Sequence, residues 1–319
     1  MGGNHVQEVV RAINEAAWST GAPLVMAGEN IDTGSRIAGI ARGLEPKDGD
    51  RILNLGNCEL THCGIGFGVM LDGGHFALFM KQLDFLLLGL DQLVNTYQFI
   101  RAHRDPAELG SFTIYLIVCD QGYQGAQSSL NAVGDVAALA RIPTFCLNAV
   151  ADIDEVVRKE FFGRGVRIVA VSQRQFGMDP LVLDLVERSS DLSSFRYSRG
   201  DDLTLVSFNF ALRQCVDIVR RLEAVGLTVD LFHHNFVPGA DRAPLVESAQ
   251  RTGHLLVLDD SKSYLKMADV VVADLAGRVS GLESRVLTRR DLAPADYSVT
   301  PDVFDVIDEG VAWVLRCRE

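Results

Sequence analysis

The sequence predicts an α/β protein with two mostly parallel sheets, and three observations support this. Short apolar runs alternate with segments of helical periodicity along most of the chain, which is typical of strands joined by crossover helices. Several of these runs are apolar throughout, such as TIYLIVC at 113–119, as in strands buried on both faces. A polar, serine-rich stretch at 187–202 interrupts the pattern, which then restarts. The 319 residues therefore divide into predicted domains at 1–186 and 203–319, joined by a linker at 187–202.

The first predicted domain begins with a helix, in which Val6, Val9 and Ile13 belong to one apolar stripe. Its longest predicted helix ends before Pro106, because proline disfavours a helical residue ahead of it. In order, the elements are a helix at 6–19, buried strands at 23–27 and 51–55, helices at 60–71 and 82–104, a strand at 113–119, a helix at 130–140, a strand at 144–147, a helix at 153–162 and a strand at 166–171.

The second predicted domain repeats the strand–helix alternation over about 115 residues, an ordinary size for one domain. In order, its elements are a strand at 203–208, a helix at 211–225, a strand at 227–232, a helix at 242–252, a strand at 254–258, a short apolar run at 270–273 and a helix near 303–315.

The composition excludes several classes of partner. The net charge of −12 repels nucleic acids and anionic membranes. The longest apolar run, at 85–90, is far too short to span a bilayer. The six cysteines are scattered and form no CxxC pair, so we expect reduced thiols in a soluble, cytoplasmic protein.

Three stretches of the first domain carry a resemblance to a known family. They are VMAGENIDTGSRIAGIARGL at 25–44, NCELTHCGIGFGVML at 57–71 and MKQLDFLLLGLDQLVNTY at 80–97. In order and spacing they resemble the beta subunits of thiamine diphosphate-dependent 2-oxo acid dehydrogenases and, more distantly, the middle domain of transketolases. The segments at 202–232 and 254–260 resemble the family's C-terminal domain. The resemblance implies a pyrimidine-binding domain followed by a transketolase C-terminal-like domain.

Glu59 occupies the place of the family's catalytic glutamate. In the family, this carboxyl bonds ring nitrogen N1′ of the cofactor's aminopyrimidine and stabilises the tautomer that removes the thiazolium proton. The resemblance therefore implies that Glu59 is catalytic and contacts thiamine diphosphate, with Asn57 beside it in cofactor binding. From the residues alone, the preferred interpretation of Glu59 is an acid at a helix N-terminus, where the helix dipole favours it.

Three further residues are assigned to this site. Phe85 corresponds to the aromatic residue that stacks on the aminopyrimidine; the alternative is a core phenylalanine. Glu29 follows a predicted strand end, where ligands of α/β proteins gather, so it is assigned to the cofactor's acid network; the alternative is a loop residue. His62, one turn after Glu59, is a candidate catalytic group; the alternative is packing or a subunit interface.

One departure from the family concerns the segment DQGYQGAQSSLNA, which follows the strand at 113–119. The family places a histidine near the reaction centre here, whereas this chain has Ser128. A serine hydroxyl is no proton donor near pH 7, unlike imidazole, which weakens the expectation of standard dehydrogenase chemistry. We assign Ser128 to the catalytic group and, with Gln124 and Gln127, to substrate binding; the alternative is that all three are polar loop residues.

Two other patterns lead to different interpretations. Gly64, Gly66 and Gly68 have GxGxG spacing rather than the GxGxxG of dinucleotide sites, so we interpret them as helix residues that pack against a partner subunit's helix, as in the family. The pair His233-His234 lacks a third metal ligand nearby and is expected at the surface.

The family's Gly-Asp-Gly diphosphate motif has no convincing counterpart in the sequence. Asp48-Gly49-Asp50 is inverted, and Gly134-Asp135-Val136 lacks the second glycine. The resemblance therefore implies an alpha-type partner that holds the diphosphate and Mg²⁺, a heterotetramer of two alpha and two beta chains, and no metal ligand on this chain.

The sequence thus predicts a beta-type subunit of a two-component thiamine diphosphate enzyme acting on a small carbonyl substrate. Two chemistries stay open, namely 2-oxo acid decarboxylation, as in the dehydrogenases, and transketolase-like ketol transfer or carboligation. An alternative is a non-catalytic, degenerate beta subunit that stabilises or regulates a partner chain.

Overall fold

The computed structural model describes residues 3–121, 130–289 and 304–318. The first half of the chain builds one six-stranded sheet. Its strands are β1 (Leu24–Gly28), β2 (Arg51–Asn54), β3 (His75–Met80), β4 (Ser111–Val118), β5 (Thr144–Cys146) and β6 (Gly165–Ser172). Its helices are α1 (His5–Ser19), α2 (Glu59–Leu71), α3 (Leu83–Leu86), α4 (Tyr97–His103), α5 (Val133–Ala140) and α6 (Val150–Glu160).

All recorded pairings in this sheet are parallel, in the order β2-β1-β3-β4-β6-β5. The central strands β4 and β6 are buried at every position, as their continuous apolar sequences predict. β2 was expected to be buried, but most of its residues are exposed because it is the edge strand.

Two other elements differ from the sequence-based expectation. The strand β3, with the sequence HFALFM, was not predicted, although it lies between β1 and β4 in the sheet. The long helix predicted at 82–104 is instead a series of α, 3₁₀ and π turns, with the 3₁₀ turn at Leu87–Gly89 and the π turn at Gln92–Thr96. The irregular part begins where Gly89 packs against α2.

The second half builds another six-stranded sheet, in the order β12-β11-β9-β10-β8-β7. Its strands are β7 (Glu187–Arg188), β8 (Ser194–Arg196), β9 (Leu203–Phe208), β10 (Val229–His234), β11 (His254–Asp259) and β12 (Glu283–Thr288). Its helices are α7 (Leu212–Glu223), α8 (Ala243–Thr252), α9 (Met267–Ala276) and α10 (Ile307–Arg316).

The pairings among strands β9 to β12 are parallel. Strand β8 pairs antiparallel with both β10 and β7. Both short strands come from the segment 187–202 that was predicted as a linker. Part of that segment is therefore sheet structure, and the division of the chain at 187–202 stays a prediction. The apolar run at 270–273 lies inside helix α9, and the edge strand β12 was not predicted.

The two sheets are packed together through shared apolar clusters and backbone hydrogen bonds. Each of the two largest apolar clusters contains side chains from both halves of the chain. At the edge of the first sheet, Thr144 and Phe236 exchange two backbone hydrogen bonds of 2.9 and 3.0 Å. The predicted class, α/β with two mostly parallel sheets, is confirmed.

All six cysteines are unpaired thiols. No helix in the described ranges is long and apolar enough to cross a membrane.

Candidate functional site

A small pocket lies where β1 and β3 end. β1 ends at Gly28 and is followed by Glu29, and β3 ends at Met80 and is followed by Lys81. The chain passes from β1 outward to β2 and then returns across β1 to β3. Such a reversal of strand order leaves a crevice at the carboxyl ends of the strands, where α/β proteins bind ligands.

Helix α2 brings a third group to this crevice. Glu59 is the first residue of α2 and is only 8% exposed. A methyl group on Gly89 would lie 2.7 Å from Cys63 Sγ and 3.2 Å from the backbone oxygen of Glu59. The absence of a side chain at Gly89 therefore lets this turn approach α2 closely and fixes the position of Glu59.

Four of the predicted site residues meet in the pocket, together with residues from the end of β3. They are Glu29, Glu59, His62 and Phe85, and the other lining residues are Leu78, Phe79, Met80 and Lys81. The cavity is about 10 Å³, which is room for roughly one water molecule. Within the described residues, this pocket is therefore too small to enclose a cofactor.

Two carboxyl groups face this pocket. The pKa of Glu29 is raised, first by burial and then by the charge of Glu59, while His62 and Lys81 act in the opposite direction. Like charges in a partly buried site disfavour double ionisation. The protonated form of Glu29 is therefore favoured relative to a free glutamate.

Glu59 is 8% exposed, and its side chain lines the pocket. A buried carboxyl is costly unless it is hydrogen-bonded, and a ring nitrogen of a bound ligand would supply such a bond. The aromatic ring of Phe85 lines the same pocket and offers a face for stacking. The residues present therefore fit an aminopyrimidine.

His62 is 4% exposed, and its Nε2 donates a hydrogen bond to the carbonyl of Gly56 at 2.7 Å. A carbonyl only accepts, so in the neutral ring Nδ1 is the unprotonated nitrogen. The bond holds the loop before α2 against the helix. His62 thus lines the pocket and also has the packing role that the sequence left open.

Asn57 is the predicted site residue that is described but does not belong to this pocket. Asn57 is exposed and is not among the residues that line the pocket, so the structure does not bring it to the other four. Gln124, Gln127 and Ser128 lie outside the described residues. Lys81 and the end of β3 were missed, although the apolar run HFALFM signals a buried strand whose carboxyl end would reach the site.

The two rejected diphosphate motifs have structural roles. The carboxylate of Asp50 accepts hydrogen bonds from the backbone N–H groups of Leu24 and Lys47, at 2.9 and 3.0 Å. Gly134 and Asp135 lie in the first turn of α5. Neither segment is a loop that presents backbone N–H groups to a diphosphate.

The histidine pair expected at the surface is buried, which corrects that expectation. His233 is fully buried and His234 is 4% exposed, both at the end of β10. Burial lowers the pKa of His233 to about 4 and that of His234 to about 3. His233 Nε2 donates to the carbonyl of Cys146 at 3.1 Å, so His233 bonds the first half of the chain.

The chain is similar to two curated beta subunits, although no protein-family model matches it. It is 19% identical over 284 residues to the beta subunit of acetoin:2,6-dichlorophenolindophenol oxidoreductase from Cupriavidus necator, covering 85% of this chain and 84% of that protein. It is 22% identical over 253 residues to the 2-oxoisovalerate dehydrogenase beta subunit from Bacillus subtilis, covering 76% of this chain and 75% of that protein.

Two solved structures share the fold. A split-gene transketolase, described as an inactive beta4 tetramer, has a TM-score of 0.70 at 16% identity, over 99% of this chain and 98% of that chain. Transketolase from Campylobacter jejuni has a TM-score of 0.67 at 10% identity, over 99% of this chain and 47% of that chain. The likenesses in sequence and fold support the transketolase-like beta-subunit family, as the motifs indicated.

Proposed function

We propose that this chain, transketolase-like and similar to beta subunits, is the beta-type subunit of a two-component thiamine diphosphate enzyme. The enzyme breaks or forms a carbon–carbon bond next to a carbonyl. The observation that carries the proposal is the buried side chain of Glu59, held at a reversal of strand order beside Phe85. When bound, thiamine diphosphate supplies the nucleophilic carbon that attacks the carbonyl.

In this proposal Glu59 is the catalytic acid–base residue. Its carboxyl shares a proton with the pyrimidine nitrogen in this partly buried pocket. Phe85 stacks on the pyrimidine ring. Glu29, whose pKa is raised first by burial and then by the charge of Glu59, is the second acid of the site.

A partner chain completes the site. The pocket on this chain has room for roughly one water molecule, and neither rejected motif is free to hold a diphosphate. We therefore assign the diphosphate and Mg²⁺ to an alpha-type subunit, in a heterotetramer of two alpha and two beta chains. The split-gene transketolase whose four beta chains form an inactive tetramer supports the need for a second kind of chain.

The outer face of α2 is a candidate surface for subunit contact. Leu60 is 46% exposed, and no atom lies within 4 Å of a methyl group placed on Gly64 or Gly68. These three residues recur every four positions along one side of the helix. A neighbouring helix can approach closely there, next to Glu59.

The reaction is proposed at the level of its class. One relative is named for acetoin and the other for 2-oxoisovalerate, and both molecules carry a carbonyl next to a carbon–carbon bond. Decarboxylation of a 2-oxo acid and transfer of a ketol unit are the two forms of this chemistry that we propose to test.

The experiment is calorimetric titration of thiamine diphosphate with Mg²⁺ into this chain alone and into its complex with an alpha-type chain. We expect binding only to the complex. The Glu59→Gln complex should retain its assembly and lose at least about 100-fold in turnover of a 2-oxo acid or ketol donor. Glu223→Gln, an exposed acid on α7, is the matched control and should leave turnover unchanged.

Two results would contradict the proposal. Tight binding of the cofactor to this chain alone would mean that it holds a diphosphate site of its own. Full turnover of the Glu59→Gln complex would remove the catalytic role and favour a non-catalytic beta subunit that stabilises its partner.

A further inference from the structure

Three potential metal ligands meet at the β12 edge of the second sheet. His254 is the first residue of β11 and Glu283 is the first residue of β12, and the two are direct neighbours in the parallel register. Cys317 follows the last residue of α10. One ligand atom from each of the three lies within 4.8 Å of the others.

The packing of α10 explains why the three side chains converge. A methyl group on Gly310 of α10 would lie within 3.3 Å of Leu256 and Leu287, so these two leucines face the helix. Alternate residues of a strand point to the same face. His254 lies two positions before Leu256, and Glu283 lies four before Leu287, so both side chains also face α10.

The donor atoms have the chemistry of a metal site. His254 Nδ1 donates a hydrogen bond to the backbone carbonyl of Thr252 at 2.9 Å, which leaves the lone pair of the neutral ring on Nε2. Metal-binding histidines are commonly held by such a bond. The ligand atoms of Cys317 and Glu283 lie within 4.8 Å of each other, so these two groups are already close together.

Access and charge also suit a cation. His254 and Cys317 are partly exposed and Glu283 is exposed, so an ion can enter from solvent. Cys317 lies at the C-terminal end of a helix, where the helix dipole favours positive charge. Nearby Arg318 is paired with the carboxylate of Asp202, which offsets its repulsion of a cation.

We propose that His254, Glu283 and Cys317 form a site for Zn²⁺ that fastens α10 to the edge of the second sheet. Imidazole, carboxylate and thiolate are all ligands of zinc, and a fourth position stays open to water. Zinc holds its ligand atoms about 3.5 Å apart, given bonds of about 2.0–2.3 Å, so from separations within 4.8 Å the ligand atoms need to close by at most about 1.3 Å. The thiol proton of Cys317 leaves to solvent when the Zn–S bond forms. The site is independent of the Glu59 pocket.

The test uses Co²⁺ as a coloured substitute for Zn²⁺. After treatment with a chelator, the chain is titrated with Co²⁺ and its absorption is recorded, and Zn²⁺ is then added. We expect one equivalent of Co²⁺ to give a thiolate-to-cobalt charge-transfer band that Zn²⁺ removes. Zn²⁺ should also raise the Tm of the chelator-treated protein. Cys317→Ser should remove the band, and His254→Gln and Glu283→Gln should each weaken Co²⁺ binding at least 10-fold.

The controls are an exposed thiol and an exposed histidine elsewhere. Cys58→Ser and His103→Gln should leave the band and the affinity unchanged. The proposal is overturned if no charge-transfer band appears, or if Cys317→Ser keeps the band while Cys58→Ser loses it. Equal Co²⁺ affinity of His254→Gln, Glu283→Gln and the unaltered chain, each with a native circular dichroism spectrum, would also overturn it.

Discussion

At the scale of single residues, His5 at the start of α1 combines full burial with a titratable ring. Neither of its ring nitrogens has a hydrogen-bond partner among the described residues. Burial, and to a lesser extent the charge of Arg213, lowers its pKa from 6.5 to about 4. The folded protein therefore holds His5 neutral at pH values where the unfolded chain would protonate it.

This difference predicts a pH dependence of stability. Between pH 6.5 and 4 the unfolded chain binds the additional proton, so the contribution of His5 to stability falls as the pH falls through this window. His5→Phe keeps the ring volume and removes the titration. The free energy of unfolding of His5→Phe minus that of the unaltered chain should rise by about 3 kcal/mol on going from pH 7 to pH 4.

Urea unfolding at several pH values measures this difference. His103→Gln, in an exposed position on α4, should leave the pH dependence unchanged. An unaltered slope between pH 6.5 and 4 in His5→Phe would show that His5 is not held neutral in the folded state.

Glu59 shows the limit of sequence analysis at the same scale. Its family position and its place at the start of a helix were evident from NCELTHCG. Its burial and its proximity to Glu29 depend on residues about 30 positions away in the sequence. No local pattern reveals them.

At the scale of elements, helix α2 contains two glycines in contrasting environments. A methyl group on Gly66 would lie 2.6 Å from the ring of Phe112, which is fully buried on β4. A methyl group on Gly64 would meet nothing within 4 Å. Packing against Phe112 therefore requires a glycine at position 66, whereas the described residues leave room for a side chain at position 64.

Alanine at the two positions should have opposite effects on the isolated chain. Gly66→Ala should destabilise it by about 1–3 kcal/mol, because Phe112 has no room to move in a close-packed core. Gly64→Ala should stabilise it by about 0.5–1 kcal/mol, through helix propensity. Guanidinium chloride unfolding of both variants measures this, and equal effects at the two positions would contradict the packing described here.

Element prediction failed where tertiary contacts override local preference. The run VVVA at 270–273 favours a strand, yet it lies in α9, whose residues Ala268, Val271 and Leu275 face the core at helical spacing. The edge strand β12 carries Glu283 and Arg285, as edge strands exposed to water often carry charges. Over six residues or fewer, the local sequence at 270–273 and at β12 does not distinguish a helix from a strand.

At the scale of the whole molecule, a buried ion network joins the ends of the two sheets. Arg174, after β6, donates to Asp120 at 2.9 Å and also pairs with Asp260, which follows β11. Both carboxylates are fully buried. The backbone N–H of Phe210 donates to the same Asp260 at 3.0 Å, which adds a strand end of the second sheet to the network.

Removal of the Arg174 guanidinium, which pairs with both carboxylates, should weaken the packing between the two halves of the chain. Arg174→Met leaves two buried carboxylates without this partner, so we expect a loss of about 3 kcal/mol in the free energy of unfolding. Arg220→Met breaks an exposed pair with Asp217 on α7 and should cost less than about 1 kcal/mol. Urea unfolding compares the two, and similar small losses would show that the network does not hold the halves together.

The sequence by itself determined the α/β class, most of the strands and helices, and the resemblance that singled out Glu59 and Phe85. These features depend on local periodicity and on short motifs, which are read within a window of about 20 residues. Only the tertiary structure decided the strand order, the exposure of β2, the burial of His233 and His234, and the meeting of Glu29 with Glu59. Each of these depends on which distant segments pair and pack, and the free energy of such contacts comes from burial shared between residues far apart in the chain.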